Sequence, residues 1–168
     1  IVVHRDNPMT EITLEQLALV FGAEPKRAWA SLGVTMPAGA TDIVAIGAQN
    51  NAASYELLRT TLPAPRRLGT HATATTDGKG AIAFVGKHRG AIAYVPGPLV
   101  DERVKVLKVA SKTGAPAAAV NAADYPLARH LSLWTRGEPT PAIAKFLQWL
   151  RSDEAQRLTQ AAGFLPLR

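Results

Sequence analysis

The chain has 168 residues and a mass of 17.8 kDa, the size of one domain or of two small lobes. Its 47% hydrophobic and 19% charged residues are those of a globular protein; cysteine is absent, which excludes disulfides and thiolate metal sites. A net charge of +6 favours anionic partners. The cations, however, are scattered in short groups such as Arg66-Arg67 and Lys87-His88-Arg89, and only 6% of residues are aromatic, which argues against nucleic acid.

Ile1–His4 reads as a strand and Arg5–Pro8 as a turn broken by Asn7 and Pro8. Thr13, followed three residues later by Gln16, predicts a capping box. It opens a helix whose apolar positions are Leu14, Leu17, Ala18 and Phe21, and Gly22 ends it. Trp29 falls in a short helical or turn segment that would anchor the loop after it. Pro37–Thr41 is a loop, and Ile43–Ile46 a short apolar strand of the buried parallel kind. A helix should run from about Ala53 to Leu62, where Pro63 and Pro65 stop it.

Asp77 is placed to cap a helix carrying Ala81, Ile82, Phe84 and Val85, which ends near Gly86 or His88. Strands are expected at Ala91–Val95 and Val104–Val109, and a loop over Ser111–Asp124. His130–Thr135 alternates in the manner of a strand. Thr140-Pro141 gives an N-cap with proline at the first helical position, and the helix sets Ile143, Phe146, Leu147 and Leu150 on one face. Ser152 caps a last helix that Gly163 closes, and Phe164–Leu167 forms an extended tail. Strands alternating with helices predict an α/β fold with a parallel or mixed sheet flanked by helices.

No stretch approaches the roughly 20 apolar residues that span a bilayer, so direct membrane insertion is not expected. The absence of cysteine fits an oxidising compartment, no signal sequence is visible, and Ile1–His4 reads as a strand already under way. The expectation is a segment of a longer polypeptide, with any targeting sequence upstream.

Several segments together resemble the phosphate-binding periplasmic protein family, the solute receptors of phosphate ABC transporters. Val2-Val-His-Arg-Asp-Asn-Pro8, then Ile12-Thr-Leu-Glu-Gln-Leu17 and Phe21, is similar to the family's strand, turn and helix, and Trp29 to the tryptophan that follows. Gly90-Ala-Ile-Ala-Tyr94 resembles a Gly-Ala-Ile-Gly-Tyr strand; Val104-Lys-Val-Leu-Lys108 and Tyr125-Pro-Leu-Ala-Arg129 also match. Leu133-Trp-Thr-Arg-Gly137, Ala144-Lys-Phe-Leu147, Ser152-Asp-Glu-Ala-Gln156 and Ala162-Gly-Phe-Leu-Pro-Leu167 complete the set. No single piece is specific; their order and spacing are.

The resemblance implies a type II periplasmic-binding-protein-like fold, in which two α/β lobes close over a ligand. On that reading residues 1–125 are the second lobe. Residues 126–168 supply a crossing strand and C-terminal helices that return to a first lobe lying outside these residues. The implied function is that of a periplasmic or otherwise extracytoplasmic receptor for a small anion such as phosphate, delivering it to an ABC permease without catalysis.

The segment Ile43–Arg59 carries the question of the ligand. A strand running through a short turn into a helix aims backbone N–H groups and the positive end of the helix dipole at one point. In the family this turn holds an arginine, an aspartate and a Ser-Gly-Thr opening. Aligned on the helix, those positions fall at Ala48, at Gln49 or Asn50, and at Ala52-Ala53-Ser54. Only Ser54 keeps its chemical type. The candidate ligand-binding set is therefore Gln49, Asn50, Asn51, the backbone of Ala52 and Ala53, and Ser54, with Arg129 from the segment that resembles the crossing strand. Two readings stay open: a binding loop of altered or weakened specificity, or a turn in which Ser54 or Asn51 only caps the helix.

The remaining candidates are bland. His4, His71, His88 and His130 lack metal-ligand spacing, and Gly78-Lys79-Gly80 lacks the length of a phosphate loop and reads as a helix entrance. No nucleophile and base can be paired and no cofactor is implied, so no enzyme is expected. A second functional class stays open beside the receptor: a degenerate binding-protein fold serving as an interaction or structural module of a cell-envelope protein, its ligand site lost.

Overall fold

In a computed structural model, residues 1–47, 53–63, 68–69, 73–74, 77–122 and 124–167 are described, with only the backbone of 73–74. The chain divides into two compact units, residues 1–128 and 129–168.

The first unit is built on two sheets. Its strands are β1 (Val2–His4), β2 (Glu11–Thr13), β3 (Val44–Gly47), β4 (Thr73–Ala74), β5 (Ala91–Ala93), β6 (Val104–Val106), β7 (Lys108–Ala110) and β8 (Ala117–Ala118). Its helices are α1 (Leu14–Phe21), α2 (Ala53–Thr61) and α3 (Gly78–Val85). The larger sheet has the order β4-β3-β5-β1-β6. Strands β4, β3 and β5 are parallel; β1 runs antiparallel between β5 and β6. This is the expected mixed α/β sheet flanked by helices.

Period-two alternation sends successive strand residues to opposite faces, and each face meets its own helices. Val3 and Ile92, with Ala45, join a core that contains Leu14, Leu17, Val20 and Phe21 of α1 and Leu58 of α2. Val2, Ile46, Ala91, Ala93 and Val104 face Ala81, Ile82 and Val85 of α3 instead. The order explains this division. β3 leads through α2 to β4 on one side, and β4 leads through α3 back across β3 to β5 on the other. Right-handed crossovers made in opposite directions place their helices on opposite faces.

Local chemistry fixes the element ends. Thr13 Oγ1 accepts from Gln16 N at 3.1 Å and Gln16 Oε1 accepts from Thr13 N at 3.0 Å, the capping box read from the sequence. Trp29 lies in a short 3₁₀ segment, Trp29–Leu32, and is fully buried; its indole N–H donates to the Gly90 carbonyl at 3.1 Å. Gly90 has no room for a side chain, because a Cβ there would lie 2.4 Å from the Asp42 carbonyl oxygen. Asn7, the one buried polar side chain among the described residues, braces the turn after β1, where its Oδ1 accepts from Met9 N at 2.9 Å.

Three expectations are corrected, and one strand was not foreseen. The run expected as one strand over Val104–Val109 is two strands in different sheets. β6 pairs antiparallel with β1, whereas β7 pairs parallel with β2. Buried Leu107 marks the switch, its N–H donating to the Ile1 carbonyl at 3.0 Å while Lys108 N donates to Thr10 O at 3.1 Å. Glu11–Thr13, to which the sequence assigned no strand, pairs because β7 passes beside it. Ser111–Asp124 is not wholly loop, since β8 pairs antiparallel with β7 at Val109 and Ala110. His130–Thr135 forms no strand: alternation gives a strand only where an edge is at hand to pair with, and here all six residues are exposed.

The second unit contains α4 (Pro141–Leu150) and α5 (Asp153–Ala161). Thr140 and Ser152 cap them, accepting from Ile143 N at 3.5 Å and Ala155 N at 3.4 Å. Trp149 Nε1 donates to Glu154 at 3.4 Å and Gln156 Nε2 to the Leu150 carbonyl at 2.6 Å, which ties the two helices into a hairpin. Gly163 follows in the left-handed conformation, φ 84°, and the tail runs on without regular structure.

Candidate functional site

Because β4, β3 and β5 are parallel, their carboxyl ends share one edge of the sheet, and α2 and α3 both begin there. The connections leaving β3 and β4 run in opposite directions, so the end of β3 is a topological switch point, where open α/β sheets place their ligands. The first four N–H groups of a helix lack partners within the helix and carry the positive end of its dipole. This edge therefore gathers two candidate anion seats.

One of them is filled from within. Asp77 caps α3 with its own carboxylate, accepting from Gly80 N at 2.7 Å. The 3₁₀ turn Gly97–Leu99 that follows β5 packs on the same end, so that a Cβ at Gly78 would lie 2.6 Å from Leu99 Cδ1. Gly78-Lys79-Gly80 is thus the entrance to α3, as its spacing indicated. The sequence pattern carries no sign of the Leu99 contact, which depends on where β5 delivers the chain.

The other seat is the start of α2. Gly47, buried at the end of β3, leads towards it; Ala53 is exposed and Ser54 half-buried in its first turn. Gln49, Asn50, Asn51 and Ala52 lie outside the described residues, as does Ala48. Arg129 is exposed at the start of the second unit. Of the candidate set, then, the structure places Ala53 and Ser54 together on one helical turn.

The cation that α2 itself carries serves another end. Arg59, in the last turn, donates from Nε to Glu56 Oε2 at 2.9 Å and from its terminal nitrogen to Glu56 Oε1. This pairing holds the Glu56 carboxyl below the usual carboxylate range and raises Arg59 further. In its first turn α2 offers backbone N–H groups and the Ser54 hydroxyl, and the one charge there, the Glu56 carboxylate, is paired with Arg59.

The histidines are accounted for elsewhere in the fold. His4 Nδ1 accepts from Asp6 N at 3.1 Å, and His88 stacks on Phe84 with ring centroids 3.8 Å apart. His130 is exposed, and His71 lies outside the described residues. Among the described residues no three His, Cys, Asp or Glu side chains are grouped to hold a metal ion, and no helix is long and apolar enough to cross a membrane.

A doubly wound sheet with a helix N-terminus at its switch point is the build of an α/β ligand-binding domain. Comparison with known proteins gives the family: residues 1–154 match the PBP superfamily domain, and the chain belongs to that superfamily. It is similar to the phosphate-binding protein PstS of Pseudomonas aeruginosa, 22% identical over 183 residues that cover 99% of this chain and 57% of the relative. Among solved structures it is similar to an ABC-type phosphate transport receptor from Vibrio cholerae, at 19% identity and TM-score 0.73, covering 99% of this chain and 68% of that one. PstS from Borrelia burgdorferi matches at 18% identity and TM-score 0.72 with the same coverages, 99% and 68%. The resemblance seen in the sequence and the expected fold class are borne out. The chain spans somewhat over half the length of the curated relative.

Proposed function

We propose that this chain is part of an extracytoplasmic solute-binding protein that takes a small oxyanion, phosphate before others, at the start of α2 and passes it unchanged to an ABC permease. The observation that carries this reading is the position of Ala53 and Ser54, on the first turn of the helix that follows β3 at the switch point. The relatives named as phosphate-binding proteins and the net charge of +6 support it. Backbone N–H groups of Ala52, Ala53 and Ser54 and the Ser54 hydroxyl would donate to the anion. The amides of Gln49, Asn50 and Asn51 would complete its shell, and Arg129 is the candidate counter-charge. Calorimetric titration of the complete protein with phosphate, sulfate and molybdate tests this: heat with phosphate is expected, and silence with all three overturns it.

The ion pair within α2 favours a second reading. Arg59 is committed to Glu56, and alanine stands at positions 48, 52 and 53. A fold that has lost its ligand and serves as an interaction module would be silent in the same titration while keeping its circular dichroism and cooperative unfolding.

A further inference from the structure

The turn after β1 is closed by an imidazole. His4, paired with Val104 of β6, ends the strand, and its side chain is 12% exposed. Its Nδ1 accepts from Asp6 N at 3.1 Å, while its carbonyl accepts from Asn7 N at 3.0 Å. The same Nδ1 lies 3.8 Å from Asp6 Oδ2. That oxygen is in turn 3.3 Å from a terminal nitrogen of Arg89, in the turn that leads into β5. One ring nitrogen therefore faces both an amide donor and a carboxylate, and the carboxylate is already held by a cation.

A ring nitrogen that accepts from an amide carries no proton, so this contact selects the neutral tautomer with its hydrogen on Nε2. Histidine is also the side chain whose charge changes between about pH 5 and 8. Once protonated, Nδ1 can no longer accept from Asp6 N, and its new N–H is placed to donate to Asp6 Oδ2 instead. Two cations then compete for one oxygen. Asp6 and Arg89 are about half exposed, so water screens their pair and leaves it weak. The imidazolium is more deeply set and only two residues away along the chain, so its charge-assisted bond is the stronger of the two. The neighbouring elements bring further charges to this end, and most are committed. His88, after α3, stacks on Phe84; Arg103, before β6, is bonded to Asp101. Lys105 of β6 donates to the Asn7 carbonyl and Arg5 to the Glu102 carbonyl. Lys87 and the Glu102 side chain are exposed beside them.

We infer that His4, Asp6 and Arg89 form a proton-operated switch in the turn after β1. With His4 neutral, Nδ1 closes the turn and Asp6 holds Arg89; with His4 protonated, Asp6 turns to the imidazolium and releases Arg89. Because β1 runs antiparallel to β5, its carboxyl end lies at the sheet edge opposite to the start of α2. The switch thus works without occupying the proposed ligand seat, and it does not depend on that reading.

Proton–nitrogen correlation NMR of the full chain tests the inference, with the His4 ring identified by its loss in His4→Asn. At about pH 8 the ring should carry its hydrogen on Nε2 and none on Nδ1. Between about pH 8 and 5 the Asp6 amide and the Arg89 guanidinium should shift with the same midpoint as the ring. Exchange of the Asp6 amide, corrected for its intrinsic pH dependence, should rise about tenfold as its acceptor is lost. In His4→Asn the side-chain oxygen takes the place of Nδ1 as acceptor and binds no proton, so both responses should vanish. In Asp6→Asn the tautomer should persist, the ring should protonate at lower pH, and Arg89 should cease to follow it. A hydrogen on Nδ1 at pH 8 would overturn the inference, as would Asp6 and Arg89 responses that ignore the His4 midpoint or survive in His4→Asn. The tautomer and the linked titration are read in the parent chain, so they decide the matter even where a variant fails to fold.

Discussion

Trp29 is the residue through which the loop before β3 is locked to the sheet, and replacing it separates two contributions. The side chain is fully buried in the core that contains α1, and its indole N–H donates to Gly90 O at 3.1 Å. That same carbonyl accepts from Val44 N at 3.0 Å. Trp29→Phe therefore removes one hydrogen bond without leaving the acceptor bare, a loss of about 1 kcal/mol, to which the missing ring volume adds roughly another 1 kcal/mol. Trp29→Ala leaves a cavity in close-packed surroundings and should cost about 3–5 kcal/mol. Urea unfolding followed by far-ultraviolet circular dichroism measures both. A midpoint for Trp29→Ala within error of the parent, or equal costs for the two substitutions, would refute the claim that packing dominates and the hydrogen bond is the smaller part.

Gly90→Ala should destabilise by about 1–3 kcal/mol in the same assay, because its Cβ meets the Asp42 carbonyl at 2.4 Å and both backbones are held by pairing; an unchanged midpoint would mean that the two strands slide apart freely. Asp77→Ala should cost about 1 kcal/mol through the lost cap on Gly80 N, and Asp77→Asn only a few tenths, so equal losses would point away from capping. Burial pushes the Tyr125 hydroxyl up from 10.0 to about 12, so the folded state favours the neutral phenol. Its contribution is full below pH 10 and falls as pH rises from 10 to about 12, by about 1.4 kcal/mol per unit. Subtracting the 295 nm titration of Tyr125→Phe from that of the parent should reveal this late ionisation; a difference curve centred near pH 10 would contradict it. Ser54→Ala should weaken phosphate binding about tenfold, the equivalent of one charge-assisted hydrogen bond, with little effect on stability. Unchanged affinity would move the ligand off α2.

Much of the fold was legible because its signals are local. Thr13 and Gln16 form their capping box within four residues, Asp77 reaches only to Gly80, and Thr140 and Ser152 cap the helices that their spacing announced. What escaped is decided by distant partners. Val104–Val109 breaks its alternation at the adjacent apolar pair Val106-Leu107, but that half of the run lies beside β1 and half beside β2 follows only from the turn after β1, which brings a second strand alongside. His130–Thr135 has the alternation of a strand and lacks a partner among the described residues, and Ala117–Ala118 has no alternation to speak of and finds one in β7.

The site divides along the same line. That a helix should begin near Ala53 was readable from its apolar spacing and from the prolines beyond it. That its first turn stands at a switch point was not, since this follows from the order β4-β3-β5, which only long-range pairing determines. Sequence set Ala52-Ala53-Ser54 apart as the candidate anion turn and read Gly78-Lys79-Gly80 only as a helix entrance; the fold brings the starts of both helices to one sheet edge. The start of α3 is satisfied by the Asp77 carboxylate and covered by Leu99, whereas in α2 the first-turn carboxylate of Glu56 is bonded by Arg59 three residues on. An anion seat needs donors that the protein leaves uncommitted. On the proposed reading, alanine at position 52, where the resemblance implies serine, takes away one side-chain donor, so the charge balance of an anion there has to come from outside the helix.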